Sequence, residues 1–148
     1  MRMAPKGGGE DQAIGRSRGG PRTKIHMAVS GFGCPVAFTL TAGQKGDAPQ
    51  AAGLIDGLPA QVVMADTACD SDALRQTIAD KGATAVIPNN PSRTFPHHLD
   101  SHLYGQRDLV ECCFSELKQF HRGATRFDKT ARNYRAVITH AAIVLWLR

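Results

Sequence analysis

Two carboxylates stand where carboxylates can do chemistry. Asp66 follows directly on the apolar run Gln61-Val62-Val63-Met64-Ala65, and α/β sheets present ligand-binding groups at the ends of such buried strands. Glu111 falls on a predicted helix in one narrow stripe with Tyr104, Arg107 and Lys118, all within about 60° on a wheel of 100° per residue. Leu103, Val110, Phe114 and Leu117 fall beside that stripe and form its expected buried neighbour. A carboxylate at the edge of a core, flanked by two cations and a phenol, suits the holding of a cation or work on a polyanion. The same spacing also suits a solvated helix face with i, i+4 pairs such as Arg107–Glu111, worth about 0.3–0.5 kcal/mol each. Asp66, Asp70 and Asp72 also suit a strand-end Asx turn and a helix N-cap. Asp70 is expected to be the cap or first-turn acid.

Other patterns carry less. Gly15-Arg16-Ser17-Arg18-Gly19 fits the G-x-S-x-G of a hydrolase, but that motif works only between a buried strand and a helix. The residues before it are polar and Gly-rich, which argues against a nucleophile. His98 and His102 have the i, i+4 spacing of a metal pair but straddle a loop boundary and have no third ligand. No Gly-Lys-Ser/Thr follows the Gly-rich start, so a nucleotide-hydrolase phosphate loop is excluded. Arg16, Arg18, Arg22 and Lys24 beside Gly19-Gly20 either track a phosphate backbone or belong to a solvated linker. The cysteines, Cys34, Cys69, Cys112 and Cys113, form no CxxC and read as reduced, mostly packed thiols.

These groups need elements to position them. Residues 1–22 hold eight Gly or Pro and read as a mobile basic segment. Lys24–Val29 and Val36–Leu40 read as a hairpin about a Gly31-Phe32-Gly33 turn. Asp47–Leu58 reads as a short helix, Gln61–Ala65 as a buried strand, and Asp72–Lys81 as an amphipathic helix closed by Gly82. Thr84–Pro88 is a second buried strand and residues 88–102 a polar loop. His102–His121 and Asn133–Leu147 are expected to be long helices. Hairpin, helix, strand, helix, strand, helix, helix is the order of a layered α/β domain.

The 148 residues fit one domain, and the 42% apolar content excludes a disordered chain or a coiled-coil rod. No apolar run approaches the roughly 18 residues of a membrane span, and the start lacks the apolar core of a secretory signal, so no membrane partner and a cytoplasmic location are expected. Residues 1–26 carry six Lys/Arg against two acids, residues 27–100 four against seven, and residues 101–148 eight against four. Basic ends around an acidic middle suit a polyanion partner beside cation-holding carboxylates.

Tyr104, Arg107, Glu111 and Lys118, at that spacing, resemble the signature around the last acid of the DDE transposases of bacterial insertion sequences. GRSRGG-x-x-TKIH, the strand ending MAD with its CDSDALR continuation, ATRFDKTARNY and the closing AAIVLWLR agree with it, so the likeness runs from about Gly15 to Arg148. The resemblance implies a ribonuclease-H-like mixed sheet with flanking helices, in which three carboxylates hold two Mg²⁺ (or Mn²⁺) ions for in-line phosphoryl transfer. Asp66 would be the second acid and Glu111 the third, both catalytic and both metal ligands. Tyr104, Arg107, Lys118, Arg16, Arg18 and Lys24 would bind DNA, the double-stranded element ends and target. The family's first strand, with its first Asp, has no counterpart: Glu10 and Asp11 are the only acids there, and neither sits on anything strand-like. Thr67-Ala68-Cys69 also replaces the family's usual Lys-Gly/Ala-Tyr. The resemblance thus implies the downstream frame of a two-frame element, residues 23–148 forming the C-terminal part of a catalytic domain. Such a chain would need the upstream-frame product, and could pair with itself as a dimer, or else be a remnant or a non-catalytic DNA-binding fragment.

Overall fold

The computed structural model describes residues 13–17, 20–120 and 130–148. Its architecture is mixed α/β. Strands β1 (Gly15–Ser17), β2 (Gly20–Val29) and β3 (Pro35–Ala42) form an antiparallel sheet in the order β1-β2-β3. The hairpin expected at Lys24–Leu40 is therefore present, but β2 starts at Gly20, inside the stretch expected to be a mobile segment. Cross-strand pairing of Gly15 with Arg22 and Ser17 with Gly20 supplies backbone partners that no local propensity of a Gly-rich stretch announces. The β2–β3 turn uses Gly33 at φ +79°, and the Ser30 hydroxyl accepts from the Phe32 and Cys34 amides, an ST-type turn.

Helix α1 (Ala48–Ile55) follows, with Asp47 at its N-cap position but making no side-chain cap bond. Strands β4 (Val62–Met64) and β5 (Thr84–Val86) pair in parallel, Val62 opposite Thr84 and Met64 opposite Val86. Between them runs α2 (Asp72–Asp80), capped by Ser71, whose hydroxyl accepts from the Leu74 amide at 3.2 Å. Gly82 ends it at φ +73°, the left-handed position that suits glycine beyond a helix. Among the described residues the strands thus form two small sheets rather than one mixed sheet. β4 also differs from the fully covered strand expected, since Val62 is exposed.

The single helix expected over His102–His121 is broken. Helix α3 (Ser101–Tyr104) gives way to a 3₁₀ turn over Gly105–Arg107, and α4 spans Asp108–Gln119. Gly105 at the junction costs a helix about 1 kcal/mol relative to alanine. The buried stripe also differs from the one expected: Cys113 and Leu117 are buried, whereas Leu103, Val110 and Phe114 are only half-buried. Helix α5 (Ala131–Trp146) starts at the Thr130 cap, which accepts from the Asn133 amide.

Three apolar clusters hold these layers. Leu40 packs with Tyr134 and Ile138, seating α5 on the antiparallel sheet. Cys113, Leu117, Ala141 and Leu145 join α4 to α5, with Met27 and Val29 of β2 against them. Leu74, Ile78 and Ile87 join α2 to the parallel pair, backed by Ala51, Ala52 and Ile55 of α1. No helix among the described residues is long and apolar enough to cross a membrane.

Candidate active site

Asp66 leaves the C-terminal end of β4 in extended conformation and starts the 3₁₀ turn Thr67–Cys69, its carbonyl accepting from the Cys69 amide at 2.8 Å. Its side chain makes no capping bond, and 69% of it is exposed. Glu111, in the first turn of α4, is 68% exposed. One group brings the two together. Arg107 Nη1 donates to Asp66 Oδ1 at 2.8 Å across 41 residues of chain, and Arg107 Nη2 lies 3.7 Å from Glu111 Oε1. The guanidinium also sits 5.2 Å from the centre of the Tyr104 ring, within the range of a cation–π contact. Of the four stripe residues, Arg107 thus reaches Asp66, and Tyr104 and Glu111 gather on its guanidinium. The fourth, Lys118, is exposed in the last turn of α4, about two turns beyond Glu111.

Lys24, another expected phosphate contact, is paired within the fold. Lys24 Nζ is 3.1 Å from Asp47 Oδ1 and donates to the Lys45 carbonyl at 3.2 Å. The same carboxylate lies 3.1 Å from Nδ1 of buried His26, whose Nε2 is 2.7 Å from Thr41 Oγ1. Burial lowers the His26 pKa, Asp47 opposing the shift. Burial first, then the charges of Asp47 and Asp66, raise the Cys69 thiol pKa. Arg16 falls within β1, opposite Pro21. Arg18, Glu10, Asp11 and residues 121–129 lie outside the described residues. His98 and His102 are exposed. All four cysteines are free, with Cys113 buried and Cys112 exposed.

A dense ionic cluster among the described residues centres on Asp70. Asp70, expected as a helix cap, has a fully buried side chain and leaves the cap to Ser71. Arg75 Nε donates to its Oδ1 at 2.8 Å, Arg93 donates to both oxygens at 2.9 Å, and the Asn90 amide donates to Oδ2 at 2.6 Å. Arg75 continues to the Ile87 carbonyl and Arg93 to Asp72, at 2.8 and 2.6 Å. Burial alone would raise the Asp70 pKa, but the bonds from Arg93, Asn90 and Arg75 outweigh it and hold the carboxyl far below the usual range. The clamp ties the β4–α2 connection, which begins at Asp66, to the loop after β5. A signal exists in the sequence: Arg75 and Arg93 are the only arginines among residues 27–100, beside seven acids.

As a cation site, the pair Asp66 and Glu111 offers hard oxygen donors that are open to solvent and already share one positive partner. That fits a hydrated divalent ion such as Mg²⁺, which keeps several waters and needs one or two carboxylates. Among the described residues no group of three or more His, Cys, Asp or Glu converges, so a complete two-ion centre is not formed by them alone.

No solved structure matches the chain. Residues 4–147 match the family model of the transposase DDE domain. A candidate transposase for insertion sequence element IS6501 of Brucella ovis is 40% identical over 128 residues, 85% of this chain and 98% of that protein. A candidate transposase for insertion sequence element IS402 of Burkholderia cepacia is 31% identical over 126 residues, covering 77% of this chain and 57% of that protein. The chain therefore belongs to the transposase DDE domain family.

Proposed function

We propose that the chain acts in insertion-sequence transposition as part of a ribonuclease-H-like domain that cleaves and joins DNA strands. The observation that carries this reading is the meeting of Asp66 and Glu111, from different layers of the fold, at one guanidinium. Asp66 and Glu111 would hold Mg²⁺ or Mn²⁺. When bound, such ions activate the attacking water or DNA 3′-hydroxyl and stabilise the leaving oxygen. Arg107 and Lys118 would hold the phosphate backbone in line with the carboxylates, and Tyr104 would support Arg107 from its ring face. Lys24, Arg16 and Arg18 would add phosphate contacts that position DNA without reading its sequence. The third carboxylate would come from a strand supplied by an upstream-frame product, as a partner of this chain. Supporting that, β1 covers only Gly20–Arg22 on its side of β2, and β4 has one edge without a strand among the described residues.

A non-catalytic DNA-binding fragment is the second reading, favoured by the lack of a third acid at the site among the described residues. Nicking of a supercoiled plasmid carrying the element's ends separates the two. The full chain is assayed with and without the upstream polypeptide, in Mg²⁺ or Mn²⁺. The proposal expects metal-dependent nicking, lost in Asp66→Asn and Glu111→Gln. Salt-sensitive DNA binding with no nicking, unchanged by both substitutions, would establish the second reading.

A further inference from the structure

We propose that Arg107 is a built-in counter-ion, holding the two site carboxylates together in the absence of metal and exchanging them for phosphate when DNA arrives. The inference rests on the reading of Asp66 and Glu111 as cation-holding groups. Without a positive charge between them, two carboxylates brought together repel, and Arg107 supplies that charge at 2.8 and 3.7 Å.

Its position is otherwise hard to justify. Arg107 occupies the N-cap position of α4 and makes no capping bond there. The helix break at Gly105–Arg107 places the side chain there, facing a carboxylate 41 residues away. The pairing is also built to let go. The Arg107 side chain is 41% exposed and its partners 69% and 68%, and ion pairs in water hold each other weakly. The Tyr104 ring under the guanidinium keeps the side chain anchored while its head changes partners.

A divalent ion and the guanidinium compete for the same oxygens, so metal binding is weakened until Arg107 leaves. A phosphate offers Arg107 a bidentate partner, and DNA binding thereby frees the carboxylates. Metal and DNA then bind cooperatively, each strengthening the other by the same factor.

The test is Mn²⁺ titration of the full chain, read from the spectrum of free aqueous Mn²⁺, with and without a short duplex. Removing one positive charge about 4 Å from a divalent ion in screened water predicts roughly tenfold tighter Mn²⁺ binding in Arg107→Ala. Arg107→Gln, which keeps the side-chain length, is expected to match it, and Arg107→Lys to resemble the wild type. The tightening by DNA, net of Mn²⁺ bound by DNA alone, is expected to be about tenfold smaller in Arg107→Ala than in the wild type. Asp66→Asn and Glu111→Gln remove the site in every background. Equal or weaker Mn²⁺ binding in both Arg107→Ala and Arg107→Gln, with the site still dependent on Asp66, overturns the counter-ion role and leaves the proposed function standing. Mn²⁺ binding that ignores Asp66 and Glu111 in all variants overturns both.

Discussion

Asp70→Ala tests the ionic clamp between the β4–α2 connection and the loop after β5. It removes the acceptor of four hydrogen bonds from Arg75, Arg93 and the Asn90 amide and leaves two guanidinium groups facing each other. Breaking a buried pair by deleting one partner costs about 3–5 kcal/mol. The cover over Asp70 is the two arginines and the loop after β5 rather than apolar core, so the low end, about 3 kcal/mol, applies. With a urea dependence of about 2 kcal/mol per molar, the unfolding midpoint falls by about 1.5 M. Asp70→Asn keeps the shape but loses the charge, and should fall between the two. Hydrogen exchange locates the damage: the Asn90 amide and its neighbours in 88–97 exchange faster, while α5 amides follow the global change. The acid limb adds a sign. The folded pKa of Asp70 is depressed, so its stabilisation is fully present above about pH 4 and is lost as pH falls further; Asp70→Asn flattens that limb. A midpoint within about 0.2 M of wild type, with unchanged exchange at Asn90, would refute the clamp.

Three further outcomes are expected. His26 has a lowered pKa, so its contribution is complete above about pH 6.5 and declines as the pH drops through the folded value; thermal melts from pH 8 to 5 should show this decline, reduced in His26→Gln. Ile78 is fully buried between α2 and the parallel strands, and Ile78→Ala should cost about 3 kcal/mol and lower Tm by about 10 °C, measured by calorimetry. Burial raises the Cys113 thiol to about 11, whereas Cys112 is exposed; iodoacetamide at pH 8 should label Cys112 in the folded chain and Cys113 only after denaturation, as read by mass spectrometry.

Much of this arrangement is legible in the chain itself, and the illegible parts share a cause. Periodicity locates α2 and α5, and a strand followed by an acid places Asp66 at a sheet end, because both signals are local. The spacing of Tyr104, Arg107 and Glu111 survives the break at Gly105, because the turn still brings the Tyr104 ring and the Glu111 carboxylate to the Arg107 guanidinium. What escapes is anything completed by a distant partner. Gly20–Arg22 look like linker until β1 pairs with them. Asp70 looks like a cap until Arg93, 23 residues away, makes its burial tolerable. Lys24 looks unpaired until Asp47, 23 residues on, comes within 3.1 Å of its amine.

The seating of the hairpin on α5 has a consequence for the order of events during synthesis. Trp146 Nε1 donates to the Pro35 carbonyl at 2.7 Å across 111 residues, and Leu40, Met27 and Val29 find their cover on residues of α5 and α4. The hairpin therefore leaves the ribosome early with its apolar face bare, and its cover is translated between 86 and 111 residues later. At about 5–20 residues per second that is an exposure of roughly 5–20 s. During that interval the α2 unit can close on its own, since its clamp spans only residues 70–93, while the hairpin is vulnerable to pairing with another chain. Slower translation between residues 43 and 130 should therefore lower the soluble yield without altering the stability of the molecules that do fold.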